Sequence, residues 1–210
     1  MKKLVYPFRE KDVRSLKAGD AVSISGIVFT GRDKFHKAFA DGDAVEGDFR
    51  DAALYHCGPV VVKRGGEWKA VAAGPTTSVR ENPYEPKFIA ESGVRVIIGK
   101  GGMDKATLDA MAKHGAVYIQ AVGGAAALYA AAVKRVAGVK RLEDFGAAEA
   151  CWEFEVEDLR GVVAMDAHGR SLFEDVARRS SKAAERLSGK KQTRRRIWSK
   201  RKKPWSMRES

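Results

Sequence analysis

Apolar and polar positions alternate along Ala21-Val-Ser-Ile-Ser-Gly-Ile-Val-Phe29, a period of two rich in β-branched residues that predicts a strand. Ala52-Ala-Leu-Tyr-His-Cys57, Val60-Val-Val-Lys63 and Trp68-Lys-Ala-Val-Ala-Ala73 read the same way, with Gly65-Gly66 joining the last two as a hairpin. Val94-Arg-Val-Ile-Ile98 and Val117-Tyr-Ile-Gln-Ala121 are short apolar runs of the buried-strand kind. Trp152-Glu-Phe-Glu-Val156 alternates cleanly and predicts one wet face, and Val162-Val-Ala-Met-Asp166 predicts a last strand. Between them the spacing predicts helices over Arg32–Ala40, with Thr30 or Asp33 near its start, and over Pro83–Glu91, since proline is tolerated in a first helical turn. Gly93 should end the second of these. Further helices are expected over Lys105–His114 (closed by Gly115), over the Ala-rich Gly124–Val136, and from Ser171 to about Leu187. The result is a mixed α/β fold whose first third is mostly β and whose middle is βαβα.

A length of 210 residues suits one domain with a proper core, and 44% hydrophobic with 31% charged residues is ordinary for a globular protein. No apolar run approaches the roughly 18–20 residues of a membrane helix. Met1–Phe8 carries two lysines without an apolar region before Arg9, so no signal peptide is expected there. Cys57 and Cys151 stand far apart without CxxC spacing, which argues against a disulfide framework and for a reducing cytoplasmic setting. The net charge of +12 is unevenly spread. Ten Lys/Arg against one acid from Ser188 onward carry +9 of it, leaving +3 for residues 1–187. The expected organisation is therefore a folded domain over 1–187 and a basic tail over 188–210. A solvated extension is the plain reading of that tail. A nucleic-acid-binding module using Trp198 and Trp205 for stacking is the reading from another class.

Four clusters sit where strands give way to loops or helices, the junctions at which ligands bind in α/β folds. In Thr30-Gly-Arg-Asp-Lys-Phe-His36, Arg32 and His36 share a helical face, and the guanidinium offers a planar fork for a carboxylate. The plainer alternative is a surface ion pair with His36 partly buried. Gly74-Pro-Thr-Thr-Ser-Val-Arg80 joins three hydroxyls to an arginine at a turn. It can grip an anion, or simply cap a helix through Thr76, Thr77 or Ser78. Threonine is a poor base, so proton abstraction by Thr76 needs cations or a second base. Ile98-Gly-Lys-Gly-Gly-Met103 fits neither GxxxxGK[ST] nor GxGxxG, which leaves Lys100 between glycines where backbone can approach an anion. Val122-Gly-Gly-Ala-Ala-Ala127 suits tight helix packing first and anion binding second. Arg32, Arg80 and Lys100, on three junctions, are what a small dicarboxylate site requires.

The order Gly19-Asp20, Ser25-Gly26-Ile-Val-Phe-Thr30-Gly-Arg32-Asp33, His36-Lys37, Tyr55, Gly58-Pro59, Gly74-Pro-Thr-Thr-Ser78, Arg80, Gly99-Lys100-Gly-Gly-Met103 and Gly123-Gly124 resembles the beta subunit of class I fumarases and L-tartrate dehydratases. It continues through Glu149, Trp152, Asp166, Gly169 and Ser171-Leu172, covering about 12–175, while the basic tail departs from the pattern. The resemblance implies a swivelling three-layer β/β/α domain within a hydro-lyase that adds or removes water across a carbon–carbon bond. It implies that Arg32, Arg80 and Lys100 hold substrate carboxylates, that Thr76 is the proton acceptor with Thr77 beside it, and that His36 is a site neighbour. A [4Fe-4S] cluster is implied on an alpha subunit. Two unclustered cysteines cannot furnish three or four thiolates, so no metal ligand is assigned to this chain. The implied assembly is a heterotetramer of two alpha and two beta chains acting on a small dicarboxylate, without a membrane. Weak polyanion binding falls to the tail. Fumarate and malate are taken first as substrates and L-tartrate as the alternative, since the named residues serve both.

Overall fold

The computed structural model describes residues 1–43, 45 and 47–188. In chain order the elements are β1 (Lys2–Val5), α1 (Glu10–Arg14), β2 (Ala21–Thr30), α2 (Asp33–Asp41), β3 (Ala53–Tyr55), β4 (Val60–Arg64) and β5 (Glu67–Ala72). A 3-10 turn at Ser78–Glu81 leads to α3 (Glu85–Ser92), β6 (Val96–Gly99), α4 (Lys105–His114) and β7 (Val117–Gln120). Then follow α5 (Ala126–Ala132), β8 (Val133–Lys140), α6 (Leu142–Phe145), β9 (Cys151–Met165) and α7 (Leu172–Ser188). Among the described residues the strands form a seven-stranded sheet in the order β1-β2-β3-β6-β7-β9-β8, plus the β4–β5 hairpin. Strands β1, β2, β3, β6 and β7 are parallel to their neighbours. β9 runs antiparallel to β7, β8 and β2, so β2, β3, β6, β7 and β9 form a ring of pairing.

Period-two alternation sorts the strand side chains onto two apolar sides. Ala53, Tyr55, Val96, Ile98, Val117 and Ile119 join Trp152 and Phe154 in one cluster. Leu54, Ile97 and Tyr118, one residue out of phase, join Phe35, Phe88, Leu108 and Met111 from α2, α3 and α4 in the other. Both faces of the central strands are thus buried, which is why those segments read as continuous apolar runs. A one-residue slip would exchange the two sets, so register is strongly fixed.

Gly93 and Gly115 end α3 and α4 in the left-handed conformation that the sequence predicts, and the Asp104 carboxylate caps α4 by accepting the Thr107 N–H. Four expectations need correction. The Ala-rich segment is not one helix over Gly124–Val136: α5 ends at Ala132, and Val133 opens β8. Val133, Val136 and Val139 pair with Val156, Phe154 and Trp152 of β9, so tertiary pairing overrides helical composition. The strands expected at 152–156 and 162–166 are one fifteen-residue strand. Gly161 permits this passage, because a Cβ there would lie 2.4 Å from Ile119 Cγ2. Pro83 precedes α3, and Pro86 takes the first-turn place instead. Thr30 does not cap α2: its hydroxyl donates to Ala150 O and accepts the Trp152 N–H, tying β2 to β9.

The chain divides into two units, Met1–Phe173 and Glu174–Ser210. The second is described from Glu174 to Ser188, all within α7; the tail expected over 188–210 has its first residue in that helix, and the rest of it, Trp198 and Trp205 included, lies outside the described residues. No described helix is long and apolar enough to cross a membrane.

Candidate active site

The four clusters meet the C-terminal ends of neighbouring strands or the loops beside them. β2 ends at Thr30, β3 at Tyr55, β6 at Gly99 and β7 at Gln120. Arg32, His56, Lys100 and Gly123 follow within three residues of those ends. In α/β folds with parallel strands, open or closed, the carboxyl ends of the strands are where ligands bind.

Arg32 sits in extended conformation just before α2, with its guanidinium 3.3 Å from Glu149 and 3.8 Å from Asp33. Its Nη1 also donates to Ala148 O, and Gly58 makes room for it, since a Cβ there would lie 2.4 Å from Nη1. Its Nε is buried with no hydrogen-bond partner among the described residues. Asp33 also reaches Arg80 at 3.1 Å, so one carboxylate gathers both guanidiniums. Thr76, Thr77 and Lys100 form a second group. Thr77 and Lys100 make a parallel bridge, Lys100 N–H donates to Thr76 O at 3.2 Å, and Ser78 N–H donates to Lys100 O at 3.0 Å. Thr76 Oγ1 is buried without a partner among the described residues. The Lys100 ammonium lies 3.8 Å from where a Gly123 Cβ would stand, so Gly123 leaves it room. The loop from Thr76 to Arg80 links the two groups. The Ala-rich turn behaves as packing, since a Cβ on Gly74 would stand 3.0 Å from Ala126 Cβ.

His36 turns away from solvent into a polar cluster that local sequence does not announce. His36, His56, Ser78, Glu81 and Glu85 have no exposed surface. His56 Nε2 lies 3.0 Å from Glu85 Oε2, and His36 Nε2 lies 3.1 Å from the same oxygen, at ion-pair distance but off the line of a hydrogen bond. His36 Nδ1 meets Arg32 O at 2.9 Å and Glu81 at 3.4 Å. His56 Nδ1 meets Ser78 Oγ at 2.8 Å, Ser78 Oγ meets Tyr118 OH at 2.9 Å, and Gly102 N–H donates to that phenol oxygen.

Burial opposes charge on both imidazoles, with different results. On His36 the carboxylates of Glu85 and Glu81 outweigh burial and hold the imidazole above its ordinary value. On His56 burial prevails over Glu85 and pushes it below. Burial works against ionised Glu85, yet His56 and His36 together hold it below the usual carboxylate range. On Glu81 burial outweighs the charge of His36 and lifts the carboxyl to about 7. Burial likewise pushes Tyr118 up to about 12.

Of the residues singled out in the sequence, Arg32, Thr76, Thr77, Arg80 and Lys100 lie in the two linked rim groups, and His36 lies beneath them. The plain reading of Arg32 as an ion-pair partner also holds, while His36 is wholly rather than partly buried. His56, Ser78, Glu81, Glu85 and Tyr118 were missed as site residues. Strand alternation carried the signal for His56, because Tyr55 and Cys57 share the face opposite to it. Glu85 opens a helix, where an acid reads as a partner of the helix dipole.

The fold and its rim are thus a mixed α/β sheet whose strand ends gather cations and a hydroxyl unpartnered among the described residues, above a buried His–Glu cluster. The chain belongs to the family described as Fumarase C-terminus, whose model matches residues 3–176. It is 48% identical over 178 residues to a protein of Geobacillus stearothermophilus named "Putative fumarate hydratase class I", a match covering 84% of this chain and 34% of that protein. The chain thus spans about a third of that relative's length. It is 40% identical over 185 residues to "Putative L(+)-tartrate dehydratase subunit beta" of Methanocaldococcus jannaschii, covering 86% of this chain and 95% of the relative. With the L(+)-tartrate dehydratase subunit beta of Escherichia coli the identity is 33% over 176 residues, covering 82% and 87%.

Proposed function

We propose that this chain is the beta part of a [4Fe-4S]-dependent hydro-lyase that reversibly hydrates fumarate to malate, with L-tartrate dehydration as the alternative. The observation that carries the reading is the gathering of Arg32 and Arg80 by Asp33 beside the Thr77–Lys100 bridge, where Thr76 Oγ1 is buried without a partner among the described residues. Asp33 marks a position where two guanidiniums can grip a carboxylate, and a substrate carboxylate takes up the same kind of contact. Lys100, without an ion pair among the described residues, receives the second carboxylate.

In the dehydration direction Thr76, ionised to the alkoxide, accepts at Oγ1 the proton from the substrate carbon, while the hydroxyl on the neighbouring carbon leaves as water with a proton supplied by the alpha partner. The charges of Lys100 and Arg80 stabilise that alkoxide, which a threonine requires to act as a base. Thr77 orients the substrate from the adjoining bridge position. His36 holds Arg32 from below.

This chain's own thiols do not fit an iron–sulfur cluster. Cys57 and Cys151 are both buried, in different apolar clusters. Burial pushes both upward, Cys151 to about 12, whereas a cluster ligand must be a thiolate. The cluster is therefore assigned to an alpha partner, as the relatives named subunit beta support. The finer parts of the reading are a swivelling three-layer β/β/α domain over 1–187, a basic tail over 188–210, two alpha and two beta chains, and a cytoplasmic setting in keeping with the free thiols. The test is anaerobic co-purification with a cysteine-bearing alpha chain and assay on fumarate, malate and both tartrates. Hydration of fumarate by the pair supports the first reading, turnover of L-tartrate alone selects the second, and turnover by this chain unaided overturns both.

A further inference from the structure

We infer that Glu85 is a positioning residue that locks the two substrate-bearing segments together by holding two facing imidazoles in different states, His36 as imidazolium and His56 neutral. The geometry dictates each proton. A carbonyl can only accept, so the 2.9 Å contact with Arg32 O places a hydrogen on His36 Nδ1. The other nitrogen of that ring lies 3.1 Å from Glu85 Oε2 with no exposed surface around it. Even off the hydrogen-bond line, a bare Nε2 would set its partial negative charge 3.1 Å from the carboxylate in a dry site, so this nitrogen is protonated as well.

His56 presents Nε2 to the same oxygen at 3.0 Å and must donate to it. Its Nδ1 is governed by the chain beyond. Gly102 N–H donates to the Tyr118 oxygen, Tyr118 donates to Ser78 Oγ, and Ser78 donates to His56 Nδ1, which is therefore unprotonated. Reversing the direction would strand the Tyr118 hydrogen without an acceptor among the described residues. Two imidazolium rings with centroids 5.2 Å apart would also repel in a dry site. The opposite pKa directions of the two rings agree with this assignment. Glu81, Asp33 and Arg80 are the other charged groups acting on the cluster, and with burial lifting Glu81 to about 7 the one carboxyl of the cluster fully ionised at neutral pH is Glu85.

The consequence is mechanical. His36 fixes Arg32 O through both its own backbone N–H and its ring. The His56 carbonyl accepts the Thr76 N–H at 2.7 Å, and Ser78 binds Lys100 O. One buried carboxylate thereby ties Arg32 to Thr76 and to Lys100. Displacements of about 1 Å at such positions can cost about a hundredfold in rate.

Ring-nitrogen NMR on the full chain, which has four histidines, tests the protonation states without reference to activity. At pH 7 His36 should show two protonated nitrogens and His56 a single Nε2–H. Both rings titrating together would overturn the inference. So would a stoichiometric divalent metal found by elemental analysis, since one ligand atom from each of His36, His56 and Glu85 lies within 4.8 Å of the others. The kinetic arm rests on the proposed function. In the two-chain enzyme Glu85→Gln should lower kcat/KM about a hundredfold and Glu85→Asp should recover much of it. Unchanged kinetics in Glu85→Gln overturns the positioning role. Should that variant not fold, Ser78→Ala carries the arm, cutting His56 from Tyr118 and lowering kcat/KM less severely. Absence of hydratase activity in the wild-type pair would refute the functional reading, while the ring states would still decide the inference drawn here.

Discussion

Arg80 at the rim keeps 45% of its side chain in solvent, whereas His36 and Glu85, beneath it, expose none. The rim groups carry charge by their own chemistry: a guanidinium stays protonated whether or not a partner is near. The buried groups carry charge only because of one another, and at Glu81 burial outweighs the His36 charge and moves the carboxyl to about 7. The difference separates binding from bracing. A rim charge can change partner when substrate arrives, while the buried set is tied into backbone contacts and cannot.

The largest expected effects are at the rim. Lys100→Ala or Arg80→Ala should lower kcat/KM by about 2–5 kcal/mol in transition-state terms while the fold survives. Wild-type kinetics in both variants would remove the rim from the account. Thr76→Ala should depress kcat by about a hundredfold with little change in KM, as expected for loss of a proton acceptor, and an unchanged kcat would release it from that role.

Beneath the rim the readout shifts from rate to stability. Gly99→Ala drives a Cβ to 2.0 Å from Ser78 Oγ, so thermal denaturation should report a loss of about 1–3 kcal/mol. A melting temperature equal to wild type would mean that the cluster yields easily. The smallest effect is a pH slope. The Glu81 carboxyl rises from 4.5 to about 7, so the folded chain holds a proton that the unfolded chain has released. That stabilisation is present at low pH and fades as pH rises from 4.5 through about 7. Urea midpoints between pH 5 and 8 should show the decline, and Glu81→Gln should flatten it. An identical slope in the variant would assign the effect to another group.

The rim was legible in the sequence because cations and hydroxyls at strand ends advertise their chemistry. The parallel core was legible because its strands are short, apolar and bounded by glycine. Composition misled at Gly124–Val136, where alanine argues for helix but Val133, Val136 and Val139 find strand partners in β9. The buried cluster was illegible for a different reason. His36, His56 and Glu85 come from α2, the loop after β3 and the start of α3, and no local pattern shows that three such segments will share one dry space.

The most direct test is a crystal structure of the two-chain enzyme with a bound dicarboxylate. The account predicts its carboxylates against Arg80 and Lys100, with Arg32 alongside and Thr76 Oγ1 at the reacting carbon. A dicarboxylate seated away from these strand ends, or guanidinium and ammonium groups turned from it, would contradict the account.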